Sequence, residues 1–168
     1  MDLDTLLRAL EATSFATEIR EGESSFPWIE SIHVLAITLV VGSISILDLR
    51  LLGFASLERS VDRVSSSVLP VTWAAFAVAA ISGGLLFSSN AITYAHNNWF
   101  LAKFAFIGLA GLNMIVFQTV INRNVETWGA AGTPPVAARV AGALSLLFWI
   151  AVITCGRWVG FSLQPGMG

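Results

Sequence analysis

At 168 residues the chain has the length of one domain, but 55% of it is hydrophobic, only 12% is charged and the mean hydropathy is +0.76. A soluble domain carries roughly 25% charged residues, so this chain lacks the polar groups to cover a globular surface. Its net charge of -2 gives no basis for binding nucleic acid, and a single cysteine, Cys155, excludes an internal disulfide or a multi-thiolate metal site.

The N-terminal residues lack the basic start and the apolar core of a signal peptide. Leu3, Leu6, Leu7, Leu10 and Phe15 recur at helical spacing, with Asp2 or Asp4 placed to cap the start. The pattern predicts one amphipathic helix over residues 4–20, lying on the outer membrane surface or across the mouth of a bundle. The Gly22-Glu-Ser-Ser stretch ends it. Residues 1–25 thus form an N-terminal interfacial helix and linker, and 26–168 a transmembrane unit.

A membrane-spanning helix needs about 20 mostly apolar residues. Four segments qualify: Trp28 to Ala55, Val68 to Ser89, Trp99 to Ile121 and Val136 to Phe161. Pro70 falls at the start of the second, and Pro134 and Pro135 mark the turn before the fourth. The links are short, so successive spans are expected to be antiparallel neighbours. The fold class is all-α: an integral membrane, up-down four-helix bundle with an N-terminal amphipathic helix.

Arg50, Arg59, Arg63, Arg123 and Arg139 all gather at the end that holds the links between spans 1 and 2 and between spans 3 and 4, here side B. Side A holds the acidic N-terminal tail, the uncharged link between spans 2 and 3, and the C-terminus. The positive-inside rule makes side B cytoplasmic and puts both termini in the periplasm. Trp28, Tyr94, Trp99 and Trp158 fall near side A, as an aromatic belt does.

Charged and titratable groups inside spans are costly, which makes them functional candidates. The first span carries Glu30, His33, Asp48 and Arg50. Residues 34–47 are free of charge and rise about 21 Å, less than the hydrocarbon thickness, so at least one end of this polar set is drawn inward. Glu30 and His33 share a helix face. Lys103 enters the third span from side A, Arg157 lies near the side A end of the fourth, and His96 sits in the link between spans 2 and 3. Topology thus brings Glu30, His33, His96, Lys103 and Arg157 to a similar depth.

Two chemistries fit that cluster. A b-type haem would take His33 and His96 as axial ligands, with Lys103 and Arg157 neutralising its propionates and Glu30 orienting the His33 ring. Met114, about three turns beyond Lys103, is an alternative ligand. A copper or zinc ion held by His33, His96 and Glu30 is the other. Each residue also has a plain structural reading: lysine and arginine snorkel to headgroups, and His96 caps the third span with Asn97 and Asn98. On side B, Asp48 and Arg50 point to different faces. Asp48 is expected at the rim, facing Arg123 or Arg139. Gly83-Gly84, Gly108, Gly111 and the Gly/Ala-rich start of the fourth span allow close helix packing, leaving Asn113 and Gln118 to find buried partners.

The stretch Phe26-Pro-Trp-Ile-Glu-Ser-Ile-His-Val-Leu, then Val41-Gly and Asp48-Leu-Arg-Leu-Leu-Gly, resembles an uncharacterised bacterial family of four-helix inner-membrane proteins. His96-Asn-Asn-Trp-Phe-Leu-Ala-Lys and Gly111-Leu-Asn resemble the same family's third helix. The resemblance covers roughly residues 26–160 and leaves the N-terminal helix outside. More remotely, the plan is similar to copper-resistance D membrane proteins and small membrane b-type cytochromes, which implies bundle histidines serving haem or copper. The chain departs from di-haem cytochromes in lacking four helix-borne histidines.

The functional expectation is a membrane redox or metal-binding protein, an electron-transfer subunit and not an enzyme acting alone. It would meet a periplasmic redox partner, other membrane subunits or further copies of itself. The rival is a non-catalytic membrane subunit or scaffold that docks a partner through the same polar cluster. A small transporter ranks behind both, because no span has the paired breaks of a substrate site.

Overall fold

In a computed structural model, residues 2–55, 58–121 and 134–162 are described, and every element among them is helical. Four helices are long and apolar enough to cross a membrane: α3 (Ser25–Leu52), α4 (Val61–Ser89), α6 (Asn98–Val116) and α7 (Val136–Ser162). A π-type turn, Phe117–Ile121, continues α6. Three short helices lie at side A: α1 (Leu3–Glu11), α2 (Ser14–Glu21) and α5 (Ala91–Ala95). Leu35, Ile81, Leu112 and Leu147 are among many large apolar side chains that point outward. Lipid is the solvent that suits such a surface, and the chain is a multi-pass membrane protein.

Local signals account for the helix ends. The Ser60 hydroxyl accepts from Arg63 N–H and starts α4. The apolar run from Val68 onward therefore begins inside α4. Pro70 sits within the helix instead of in its first turn, because the more polar residues 61–67 extend the helix toward side B. Gly53, at φ 83°, ends α3, where Gly53 N–H and Phe54 N–H donate to the carbonyls of Arg50 and Leu49. Asn97 caps α6 by accepting from Trp99 N–H and Phe100 N–H. Pro134 and Pro135 precede α7 as expected.

The N-terminal segment is two helices, not one. The Thr13 hydroxyl accepts from Ala16 N–H and opens α2, so the chain turns between Ala12 and Thr13. Leu7, Ala16 and Ile19 are buried, and the pair packs across the side A ends of α4 and α5, with α2 also reaching α3. Two charged groups fasten it there. Arg20 Nη1 donates to the Ser89 carbonyl at 3.1 Å, and Glu11 Oε1 accepts from Ile92 N–H at 2.9 Å.

The spans pack in the lateral order α4–α3–α7–α6. Interhelical bonds tie neighbours: Ser43 Oγ to Thr72 Oγ1 at 2.8 Å, and Asn113 Nδ2 to the Ala141 carbonyl at 2.9 Å. Such bonds contribute about 0.6 kcal/mol each inside a membrane. The buried apolar cluster, including Leu47, Leu51, Val64, Phe117 and Ala141, sits toward side B. Successive spans are not always neighbours, however: α4 and α6 stand apart, with a cavity of about 420 Å³ between them. At side A their ends meet through rings, Phe87 and Phe100 stacking at 5.5 Å with Tyr94 alongside.

Candidate functional site

His33 is the one histidine inside a span, on the side A half of α3. Its Nδ1 lies 3.0 Å from Ser82 Oγ on α4. The Ser82 hydroxyl has a single proton, and the Val78 carbonyl at 2.7 Å takes it. With the hydroxyl proton on Val78, Ser82 Oγ is the acceptor for an Nδ1–H, the arrangement that leaves the Nε2 lone pair free. Gly83 provides the room for this ring: a Cβ there would lie 2.8 Å from His33 Cε1.

Lys103 of α6 lies within Coulombic range of His33, and its stem and Nζ run past Gly156 of α7, about 3.7–3.8 Å from where a Cβ would stand. Glu30 is exposed and close enough to Tyr94 that, after burial, its carboxylate is the second influence holding that phenol above its usual pKa. Arg157 is exposed and stacks over the Phe161 ring at 4.5 Å. His96 ends α5, with Nδ1 3.0 Å from the Ile92 carbonyl and Nε2 3.6 Å from Asp4 Oδ1. The structure thus draws His33 and Lys103 toward one region, while His96 engages the N-terminal segment. Among the described residues no three His, Cys, Asp or Glu side chains converge as metal ligands, so Glu30, His33 and His96 do not form such a set.

The sequence pattern places Asp48 at the rim, and the structure corrects this. Asp48 is 3% exposed and lines the cavity between α4 and α6, with Ser145 of α7 facing its carboxyl. Among the described residues its Oδ2 has no hydrogen-bond partner, and it forms no ion pair with Arg139; Arg123 lies outside the described residues. Arg50 is also fully buried, with Nε donating to the Arg59 carbonyl at 2.9 Å. Asn113, Gln118 and Met114 line the same cavity. The available signal was a carboxylate within an apolar helix; that it faces a void depends on how the helices are rotated. Of the glycines in the spans, a Cβ on Gly83 or Gly142 would lie 3.0 Å or less from a neighbour, whereas a Cβ on Gly84, Gly108 or Gly111 would meet open space.

No curated protein matches the chain, and no solved structure matches it. One family profile does, and its match takes in α2, which the resemblance drawn from the sequence left outside, together with all four spans. On residues 13–162 the chain belongs to the family of unknown function DUF6644.

Proposed function

We propose that the protein is a membrane redox subunit of the bacterial inner membrane that would hold a haem b near the periplasmic ends of its spans, with His33 as a ligand. The observation that carries this reading is the contact of His33 Nδ1 with Ser82 Oγ at 3.0 Å. A metal-ligating histidine usually donates its other ring N–H to a neighbouring group, which sets the ring's orientation. Ser82 plays that part, leaving the Nε2 lone pair available. Lys103, near His33, would supply a cation for a propionate, with Arg157 a second, and His96, which faces Asp4 in this structure, is the candidate second ligand. Haem supplies one-electron chemistry and brings four nitrogens of its own, so it asks the protein for only one or two ligands. A copper or zinc ion bound by side chains alone asks for three or four, which makes it the weaker alternative. The remote resemblance to membrane b-type cytochromes points the same way.

The test is a visible absorption spectrum of the purified protein, with iron, copper and zinc analysis. Sharp α and β bands on reduction, lost in both His33→Ala and His96→Ala, indicate bis-histidine haem. Loss in His33→Ala alone indicates a single histidine ligand. A colourless, metal-free protein whose folding is unchanged by His33→Ala overturns the proposal. The reading that then stands is a non-catalytic subunit, which the outward-facing Leu3, Leu6 and Phe15 of the N-terminal helices favour as a surface for a partner or headgroups.

A further inference from the structure

The cavity in the side B half of the bundle is separate from the His33 region and has its own chemistry. Leu47, Leu51, Leu69, Ile107 and Phe117 make most of its wall apolar. Against that wall stands one carboxyl, Asp48, nearly sealed from solvent and with Oδ2 unpartnered among the described residues. A buried polar atom without a partner calls for an explanation, since it has given up water without gaining a replacement bond. Arg50 does not provide one: no ion pair joins it to Asp48, it is not part of the cavity wall, and its own Nη1 and Nη2 are likewise unpartnered among the described residues. Trp73, Phe76 and Trp149 contribute aromatic rings to the lining. Ring faces attract cations, most strongly where water is excluded. The volume of about 420 Å³ falls within the usual range of small-molecule sites.

We infer that this cavity is a binding site for a small organic cation, an apolar amine or quaternary ammonium, whose charge is held by Asp48 and whose body lies against Trp73, Phe76 and Trp149.

Binding of benzyltrimethylammonium to the full chain in nanodiscs tests this, read by tryptophan fluorescence and calorimetry. Neopentylbenzene, the neutral analogue with carbon in place of nitrogen, is the comparison. Saturable binding of the cation, at least ten-fold tighter than of the neutral analogue, is the expected result. Asp48→Asn should weaken cation binding by at least ten-fold. Gly111→Leu should block it sterically, because Gly111 lines the cavity and a Cβ there meets open space. Equal binding of the two probes by the wild-type protein, or no saturable binding of the cation, overturns the inference. Full binding by Asp48→Asn also overturns it. The wild-type comparison stands even if a variant fails to fold, and none of these outcomes depends on whether haem is present.

Discussion

Glu11 caps a helix that is not its own. Its carboxylate accepts the Ile92 N–H at 2.9 Å, at the start of α5, where the local N-cap residue Asn90 makes no side-chain cap bond. Arg20 does the converse for α4, giving a guanidinium proton to the Ser89 carbonyl at its C-terminus. Anion at a helix N-terminus and cation at a C-terminus are the favourable arrangements. The junction between α4 and α5 is therefore completed by residues about 70–80 positions earlier in the chain.

Glu11→Ala should cost the α4–α5 junction about 1 kcal/mol, the usual scale of a lost cap. Hydrogen exchange at the Ile92 amide should speed up by roughly five-fold, with the spans unaffected. Deleting residues 1–20 should likewise leave all four spans inserted. Failure of insertion on that deletion would show that the segment does more than cover the mouth.

Span positions were legible because hydropathy alone identifies a helix that faces lipid. The N-terminal amphipathic pattern was legible too, but its break at Ala12 and Thr13 was not, since no Gly or Pro marks it and the Thr13 cap supplies the turn. Counting residues from helix ends places His33 and Lys103 at one depth. Counting could not show that Ser82 fixes the imidazole, or that His96 turns toward Asp4. Asp48 escaped for a related reason: depth follows from sequence, whereas the face a residue presents depends on the order α4–α3–α7–α6 and the gap it leaves.

The excess of arginine on side B predicts both termini in the periplasm. Single cysteines at Glu23 and at Asp62, in a Cys155→Ala background, should divide accordingly. An impermeant maleimide should label the first in intact cells and the second only after lysis. The reverse pattern would invert the orientation.

Gly142 and Gly84 should respond in opposite ways to alanine. A Cβ on Gly142 would come within 3.0 Å of the Asp48 carbonyl and 3.1 Å of Leu51 Cβ, where α7 crosses α3. Overpacking there should cost about 1–3 kcal/mol. Gly84 has nothing within 4 Å of such a Cβ, and alanine should gain up to about 1 kcal/mol from helix propensity. Unfolding in mixed micelles with rising SDS would show the two shifts; equal shifts would place the α3–α7 contact elsewhere.

Gly83 and His33 should be strongly coupled. A methyl at position 83 would lie 2.8 Å from His33 Cε1, so Gly83→Ala must push the ring away and strain the bond from Nδ1 to Ser82. The expected cost is about 1–3 kcal/mol. In a His33→Ala background the ring is gone, and the same substitution should be neutral or mildly stabilising. A double-mutant cycle measured by SDS unfolding should therefore give a coupling of at least about 1 kcal/mol. If Gly83→Ala costs the same with and without the imidazole, the ring does not pack on Gly83. The contact of Nδ1 with Ser82, on which the haem proposal rests, would then lose its structural basis.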